Sequence, residues 1–261
     1  MIEAKKSLGQ HWLKDNYILD LIVEEAELSP DQLVLEIGPG TGNLTEKLLT
    51  KSDNVTAVEL DERLINKLVK RFNDQILLGH LRILNEDIRY FDFNNIKESY
   101  KIVANIPYYL TSYLIRLLAD SSNKPDLVVL LIQKEVAERL SALPGKMSLL
   151  SVVAQLNFDI KKGELVPAYL FEPIPKVDSQ IVILSKKNKN ILDNIDSKEL
   201  IKFISLGFSM RRKKLVNNLV KIFEKDLLTD VLEKLKINLS TRPQDLSINQ
   251  WQELFVILYK K

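Results

Sequence analysis

The fold is decided by the stretch Leu33-Val34-Leu35-Glu36-Ile37-Gly38-Pro39-Gly40-Thr41-Gly42. A mainly apolar run ends in three of the eight glycines of this 261-residue chain, and an amphipathic segment over 43–49 follows. This order predicts a strand, a tight turn and a helix. Glycines after a strand are also typical of nucleotide-cofactor loops, because they adopt positive φ and let a ligand approach the backbone.

Short apolar runs and helical patterns alternate beyond this turn. The predicted strands are 55–60, 81–84, 101–106 and 126–132, and the predicted helices are 61–72, 111–118 and 133–140. Such alternation indicates a parallel sheet with helices on both faces. We therefore predict an α/β fold of the Rossmann-like type.

The alternation weakens after Gly145. A helix over 148–156 is followed by strands over 158–165 and 177–184, which predict an antiparallel hairpin at one edge of a seven-stranded, mostly parallel sheet. From the lysine- and asparagine-rich segment 186–190 onward, only helical periodicity remains. We therefore predict two domains, 1–188 with the sheet and 189–261 as a small all-α domain.

Composition and charge narrow the possible functions. The chain has no cysteine and only two histidines, His11 and His80, so we expect no disulfide and no metal site. No signal peptide and no run of about 18 apolar residues is visible, so we expect a cytoplasmic protein. Residues 185–261 carry 16 Lys and Arg against 9 Asp and Glu, whereas residues 1–184 carry 21 against 26. The basic end is the better candidate for a polyanion contact, although solvated lysine-rich helices are an alternative.

The glycine spacing distinguishes between nucleotide cofactors. The dinucleotide fingerprint G-x-G-x-x-G requires glycine at position 43, where this chain has Asn43. Glu59 ends the second strand 21 residues after Gly38, where an acidic residue accepts hydrogen bonds from ribose hydroxyls in doubly wound folds. Asp87, after the third strand, is suited to accept a hydrogen bond from an adenine amine. We predict a site for an adenosine-containing cofactor without a pyrophosphate; a structural glycine turn with solvated acidic residues is the alternative.

The fourth of these strands leads into Asn105-Ile106-Pro107-Tyr108. A carboxamide, a carbonyl oxygen fixed by proline and an aromatic ring can together hold a planar exocyclic amine and stack on its ring. The motif resembles the N/D-P-P-Y motif of S-adenosylmethionine-dependent methyltransferases that modify adenine amino groups. We predict Asn105, Pro107 and Tyr108 as catalytic residues, with a core aromatic as the alternative for Tyr108.

Five motifs in order resemble the ribosomal RNA small-subunit adenine N6-dimethyltransferase family over nearly the whole chain. The family patterns are K-S-L-G-Q-N/H-F-L, L-E-I-G-P-G-x-G, N-L/I-P-Y, P-K-V-D-S and F-x-x-R-R-K. The matching segments are Lys6 to Leu13, Leu35 to Gly42, Asn105 to Tyr108, Pro175 to Ser179 and Phe208 to Lys213. The chain departs from the family at Trp12, usually Phe, and at Tyr109, which is Asn or another polar residue in many relatives.

The resemblance implies a class I S-adenosylmethionine methyltransferase that releases S-adenosylhomocysteine. The implied reaction places two methyl groups on N6 of each of two adjacent adenosines near the 3′ end of 16S ribosomal RNA, during biogenesis of the 30S subunit. Residue by residue, the resemblance gives the cofactor-binding set His11, Leu13, Gly38, Gly40, Glu59, Asp87 and Asn105. Within that set it places Gly38 beside the methionine part and Asn105 between cofactor and target.

Four consecutive cations, Arg211, Arg212, Lys213 and Lys214, lie near a predicted helix junction. We predict that they contact RNA phosphates, which position RNA without reading its sequence; a solvated basic stretch is the alternative. The expected partner is small-subunit ribosomal RNA, within a partly assembled 30S particle, and we expect a monomer that binds no membrane.

Two alternative functions remain for the same fold. One is a macrolide-resistance-type methyltransferase that modifies an adenosine of 23S ribosomal RNA. The other is a ribosome-assembly or transcription factor without catalysis. The F-x-x-R-R-K motif and the N-terminal segment favour the small-subunit enzyme over the first, and the complete Asn105 to Tyr108 motif argues against the second.

Overall fold

A computed structural model describes residues 4–5, 8–187 and 197–259. The chain forms two compact units, Met1–Ala137 with Asp159–Lys186 and Glu138–Phe158 with Lys187–Lys261. These units differ from the predicted domains 1–188 and 189–261 because residues 138–158 belong to the helical unit. The reason is packing: Val152 and Leu156 lie in the same buried cluster as Leu200 and Ile204. Residues 188–190 of the predicted linker lie outside the described residues, as do Lys6 and Ser7 of the first motif.

Nine strands are described, each bounded as follows. They are β1 (Trp12–Leu13), β2 (Leu33–Ile37), β3 (Val55–Glu59), β4 (Leu81–Asn85), β5 (Tyr100–Asn105), β6 (Leu127–Gln133), β7 (Phe158–Val166), β8 (Phe171–Glu172) and β9 (Ser179–Lys186).

Eleven α-helices are also described. They are α1 (Asn16–Glu25), α2 (Asn43–Leu48), α3 (Glu62–Arg71), α4 (Asn73–Leu77), α5 (Thr111–Asp120), α6 (Lys134–Leu140), α7 (Leu149–Asn157), α8 (Ser197–Gly207), α9 (Leu215–Leu219), α10 (Lys225–Lys234) and α11 (Ile248–Tyr259).

Seven strands form one sheet in the order β4-β3-β2-β5-β6-β9-β7. The pairs from β4 to β6 are parallel, whereas β9 runs antiparallel to β6. The mostly parallel seven-stranded sheet with the late strands at one edge confirms the predicted fold class. Because the parallel strands end at the same edge, the residues that follow β2, β3, β4 and β5 are brought together there.

The sequence explains these elements locally. Five consecutive residues of β6, Val128 to Ile132, are buried, as expected for a parallel strand covered on both faces. Asp15 and Asp61 begin α1 and α3, and each side chain accepts a backbone N–H of the first turn. Gly42 precedes α2 in a left-handed conformation that favours glycine.

A second, two-stranded sheet was not predicted from the sequence. β1 pairs antiparallel with β8, so that Trp12 lies opposite Glu172 and Leu13 lies opposite Phe171. Strands of two residues are too short to show alternation, which is why pattern analysis missed them. This pairing attaches the N-terminal segment to a loop some 160 residues later in the chain.

The helical unit has its own core. Trp251 and Phe203 are buried at its centre, with ring centroids 5.9 Å apart and nearly perpendicular planes. Helical periodicity predicted this unit, and burial of Leu200, Ile204 and Leu215 agrees with that pattern. None of the helices that the structure describes has both the length and the hydropathy that a membrane-spanning helix needs.

Candidate active site

An open cleft lies at the carboxyl edge of the seven-stranded sheet. The segments after β2, β3, β4 and β5 line it, together with residues 8–13. Ligands of open α/β sheets bind at this edge. The structure brings together there all nine residues predicted for cofactor binding or catalysis, namely His11, Leu13, Gly38, Gly40, Glu59, Asp87, Asn105, Pro107 and Tyr108.

The three clustered glycines have different reasons to be glycine. All have positive φ, +69° at Gly38, +60° at Gly40 and +87° at Gly42. A Cβ on Gly42 would lie 2.6 Å from Cε2 of Phe72, so this position packs the turn against the end of α3. A Cβ on Gly38 would meet nothing closer than 3.8 Å. Gly42 is therefore a packing residue, whereas the turn at Gly38 leaves room for a ligand.

Glu59 has both carboxylate oxygens held by backbone N–H groups. Gly40 donates to Oε2 at 3.1 Å, and Leu60 and Asp61 each donate to Oε1 at 2.9 Å. Burial raises the pKa of Glu59, and these hydrogen bonds oppose the rise. Oε1 already accepts two hydrogen bonds, whereas Oε2 accepts one and keeps a further lone pair, so a carboxylate fixed in this orientation can still accept a hydrogen bond from a ligand hydroxyl through Oε2.

A second buried carboxyl, Glu36, lies beside the glycine turn and was not predicted as a site residue. It is 1% exposed, and the hydroxyl of Thr45 donates to its Oε2 at 2.6 Å. Burial raises the pKa of Glu36 to about 8. An acidic residue within an otherwise apolar strand was the signal in the sequence that could have identified it.

The carboxylate of Asp87 is already occupied by a neighbour, Arg89. The Arg89 Nε lies 3.0 and 2.9 Å from the two carboxylate oxygens, and its Nη2 lies 2.5 Å from Oδ2. Hydrogen bonding from Arg89 lowers the pKa of Asp87. A ligand amine that reaches Asp87 must share these oxygens with Arg89, a contact that was not predicted from the sequence.

Asn105 ends β5 and contacts the N-terminal segment. Its Nδ2 donates to the backbone oxygen of His11 at 3.2 Å. This hydrogen bond assigns the orientation of the side-chain amide and leaves Oδ1 as a hydrogen-bond acceptor, and Asn105 is one of the residues that line the cleft. The carbonyl oxygen of Pro107 accepts the N–H of Leu110 at 2.9 Å and keeps its second lone pair.

Tyr108 is half-buried and held on two sides. Its ring stacks on that of His11, with centroids 5.7 Å apart and planes 19° apart, and its hydroxyl lies 2.8 Å from Oγ of Ser179. Burial raises the pKa of Tyr108, so its hydroxyl stays protonated near neutral pH. The ring can therefore act as a neutral aromatic surface within the cleft.

Residues 8–13, here called the N-terminal arm, are fixed over the cleft by several hydrogen bonds. Gln10 Nε2 donates to Asp61 Oδ2 at 3.1 Å, and His11 Nδ1 lies 2.7 Å from the backbone oxygen of Pro173. The backbone oxygen of Leu13 accepts Asn43 Nδ2 at 3.0 Å. His11 and Leu13 were predicted from the sequence to lie at the site, whereas Gln10 was not, because an isolated glutamine gives no pattern.

The four basic residues lie in the helical unit, in the turn between α8 and α9. Arg211, Arg212, Lys213 and Lys214 are all exposed, and no side-chain hydrogen bond or ion pair is described for them. Asn218 stabilises the backbone beside this turn, since its buried Nδ2 donates to the backbone oxygens of Gly207 and, at 3.3 Å, of Met210. Within residues 4–5, 8–187 and 197–259, no cluster of three His, Asp or Glu could hold a metal ion.

The sheet order and the cleft together define a Rossmann-like methyltransferase of class I. The chain belongs to the ribosomal RNA adenine dimethylase family, which matches residues 1–260. The family resemblance stated from the sequence motifs is therefore confirmed, and so is the conclusion that the chain is a methyltransferase of ribosomal RNA adenine.

Individual relatives agree with this assignment. The ribosomal RNA small subunit methyltransferase A of Nostoc sp. is 40% identical over 269 residues, covering 99% of each chain. A dimethyladenosine transferase from Plasmodium falciparum superposes with a TM-score of 0.81 at 30% identity, over 95% of this chain and 97% of that one. The 23S rRNA methyltransferase ErmE superposes with a TM-score of 0.77 at 26% identity, over 94% and 98%.

Proposed function

We propose that the protein transfers methyl groups from S-adenosylmethionine to N6 of two adjacent adenosines in the 3′-terminal hairpin of 16S ribosomal RNA, two to each, as a step of 30S biogenesis in the cytoplasm. The observation that carries the proposal is Asn105, whose side-chain oxygen is left as an acceptor at the cleft by the hydrogen bond to His11. The family assignment and the 40% identity to a small-subunit enzyme support it.

The residues of the cleft fit this cofactor. Glu59 presents an oriented carboxylate for the ribose hydroxyls, and Gly38 leaves backbone space beside the turn for the methionine part. Asp87, which follows β4, is available to the adenine amine, which must share its oxygens with Arg89. His11 and Leu13 close the cofactor edge from the N-terminal arm, and S-adenosylhomocysteine is the product.

Asn105 and Pro107 act on the adenine amine. S-adenosylmethionine, when bound, supplies a methyl group on a sulfonium, which is already an excellent leaving group. The N6 lone pair is delocalised into the ring, so the protein must localise it. Hydrogen bonds from N6 to the Asn105 side-chain oxygen and the Pro107 carbonyl oxygen would draw the nitrogen toward tetrahedral geometry, with the lone pair directed at the methyl carbon. In each transfer N6 would form one bond to the methyl carbon as the bond from that carbon to sulfur breaks, with the electron pair left on the sulfur of S-adenosylhomocysteine, and one N6 proton would pass to solvent.

The second transfer differs from the first in its hydrogen bonding. After one methylation N6 keeps a single N–H, so Asn105 and Pro107 can no longer both accept a hydrogen bond from it. Orientation of the base then depends more on Tyr108. Extruding the base from its stack costs a few kcal/mol, and stacking on an aromatic ring returns about 1–3 kcal/mol.

RNA outside the cleft would be held by the basic turn 211–214. Its four side chains are exposed cations with no described acidic partner, which suits a polyphosphate better than a folded protein core. Phosphate contacts position a structured RNA without reading its bases, and such RNA is recognised largely by shape. The acceptor that we propose is a partly assembled 30S particle, to which the protein binds as a monomer.

The second candidate is methylation of 23S ribosomal RNA, because ErmE shares the fold over 94% of this chain. The decisive experiment incubates the full chain with labelled S-adenosylmethionine and either 30S subunits that lack the modification or 50S subunits. Primer extension and mass spectrometry of the RNA then locate the label. We expect two methyl groups on each of two adjacent adenosines of 16S RNA; label on 23S RNA alone, or none on either, would refute the proposal.

A further inference from the structure

Three exposed tyrosines surround one arginine beside the cleft. Tyr90 is 79% exposed, Tyr109 53% and Tyr113 44%. Large aromatic side chains are usually buried, so three exposed in one place require an explanation. We call Tyr90, Tyr109, Tyr113 and Arg89 the tyrosine platform.

Arg89 connects the members of the platform. The hydroxyl of Tyr113 donates to the backbone oxygen of Arg89 at 2.9 Å, and the Arg89 Cζ lies 5.9 Å from the ring centroid of Tyr90. The charge of Arg89 also opposes the burial that raises the pKa of Tyr109. The Nε and Nη2 of Arg89 donate hydrogen bonds to the two carboxylate oxygens of Asp87, and this bidentate contact fixes the position of the guanidinium within the platform.

The platform is continuous with the cleft. Tyr109 lines the cleft directly after Tyr108, and Arg89 is two residues from Asp87. On α5, Arg116 lies three residues after Tyr113 and is exposed, so a second cation shares that face of the helix. A strand of RNA that places a base at Asn105 would have its neighbouring nucleotides at this surface.

Exposed aromatic rings with cations between them match one class of ligand. Unpaired bases stack on aromatic faces whatever their sequence, and guanidinium groups contact phosphates or stack on bases. A paired helix offers no free base faces, and its bases stay inside the stack. The chemistry of the platform therefore fits a single-stranded segment.

We propose that the tyrosine platform is a stacking surface for the unpaired nucleotides that flank the target adenosine. The inference rests on the proposed function, and it adds an RNA contact on the unit that contains the seven-stranded sheet. It also gives a reason for the exposed ring of Tyr109, which extends the platform to the cleft.

The test compares Tyr90→Ala, Tyr113→Ala and the double variant of the full chain for binding to two RNAs. One is a hairpin whose loop holds the adenosines unpaired, with 2-aminopurine beside them; the other is a fully paired duplex of equal length. We expect the hairpin dissociation constant to rise about fivefold or more for each ring removed. The quenching of 2-aminopurine should decrease in parallel, and duplex binding should stay unchanged.

Three controls make the result specific. Tyr90→Phe and Tyr113→Phe keep a stacking ring and should bind the hairpin nearly as the wild type does. Tyr17→Ala removes a 66% exposed tyrosine of α1 that does not line the cleft, and it should change nothing. Affinity for S-adenosylmethionine, measured by calorimetry, should also stay unchanged.

Unchanged hairpin affinity in the double variant would overturn the inference, and so would an equal loss on the duplex or in Tyr17→Ala. Because RNA affinity is measured without turnover, this outcome is distinguishable from failure of the proposed function. That failure would appear instead as absence of methyl transfer by the wild-type protein.

Discussion

The Nδ2 of Asn105 donates to the backbone oxygen of His11 at 3.2 Å. One amide thereby does two things: its nitrogen fastens the N-terminal arm, and its oxygen stays available in the cleft. The arm and the proposed amine-binding group are therefore coupled, and a change at one alters the other. Two substitutions at position 105 act on this coupling differently, because Asn105→Ala removes both the donor and the acceptor, whereas Asn105→Asp removes only the donor.

Asn105→Ala should lower the rate of methyl transfer by about 10²-fold or more, the loss typical of removing one oriented hydrogen-bonding group from an active site. Asn105→Asp keeps an acceptor but places a carboxylate against the His11 carbonyl oxygen, so it should lose activity as well. Single-turnover rates with 30S particles measure the effect. Full activity of Asn105→Ala would exclude the role proposed for the side-chain oxygen.

Tyr108→Ala should remove most turnover while S-adenosylmethionine affinity stays near that of the wild type, because the ring is proposed to hold the target base. Tyr108→Phe removes only the hydroxyl that contacts Ser179 and should keep most activity. Turnover and calorimetric cofactor binding are measured on both variants. If cofactor binding collapses together with turnover in Tyr108→Ala, the ring is a structural support for His11 instead.

The buried carboxyl of Glu36 should make stability depend on pH. Its pKa is raised from 4.5 to about 8 in the folded protein, so the folded state keeps a proton that the unfolded state releases. The contribution of Glu36 to the free energy of unfolding is fully present below pH 4.5. It is lost as pH rises toward 8, by up to about 1.4 kcal/mol per pH unit.

Glu36→Gln keeps an acceptor for Thr45 and removes this titration. Urea unfolding at pH 5 and pH 8 should therefore show a smaller loss of stability in the variant than in the wild type. Equal pH dependence in both proteins would contradict the raised pKa of Glu36.

Replacing Arg211, Arg212, Lys213 and Lys214 by glutamine should weaken RNA binding and flatten its dependence on salt. Each phosphate that is no longer neutralised by a cation reduces the slope of log K against log salt by about 0.7–0.9. The matched control replaces four other exposed lysines of the same unit, Lys221, Lys225, Lys234 and Lys236, and removes the same charge. A similar slope change in both variants would show a general charge effect and no specific contact at the basic turn.

Asn218→Ala should remove the two hydrogen bonds that hold the backbone beside the basic turn. The backbone oxygens of Gly207 and Met210 lose their donor, which should lower the free energy of unfolding by about 1–3 kcal/mol and weaken RNA binding. Asn217→Ala changes an exposed neighbour on the same helix and should do neither. Chemical unfolding and RNA titration on both variants check this, and unaltered stability of Asn218→Ala would disprove the support.

Local patterns predicted most strands and helices of the unit that contains the seven-stranded sheet, because apolar runs and helical periods reflect which residues are buried. The glycine turn, Glu59 and Asn105 follow strands, so the common edge of a parallel sheet was enough to group them. The strand pair β1 and β8 could not be predicted this way, since two residues show no period. Helix α7 belongs to the helical unit because Val152 and Leu156 pack in the buried cluster of that unit. Which residues they pack against is determined only in the folded chain.

Contacts between side chains were the other gap in the prediction. Arg89 on Asp87 and Gln10 on Asp61 are pairings of ordinary polar residues, and the Gln10 contact spans 51 positions. Composition does not distinguish such residues from solvated ones. The identities of the cleft residues were therefore accessible from sequence, whereas their hydrogen-bond partners, which decide what each can still bind, required coordinates.

The pairing of Trp12 with Glu172 and Leu13 with Phe171 has a consequence for synthesis of the protein. The arm is translated some 160 residues before its strand partner, which lies near the end of the same unit. Until then the arm can form its hydrogen bonds to Asp61, Asn43 and Asn105 but has no strand to pair with. This methyltransferase of ribosomal RNA thus completes the attachment of its arm only after nearly all of its sheet has been translated.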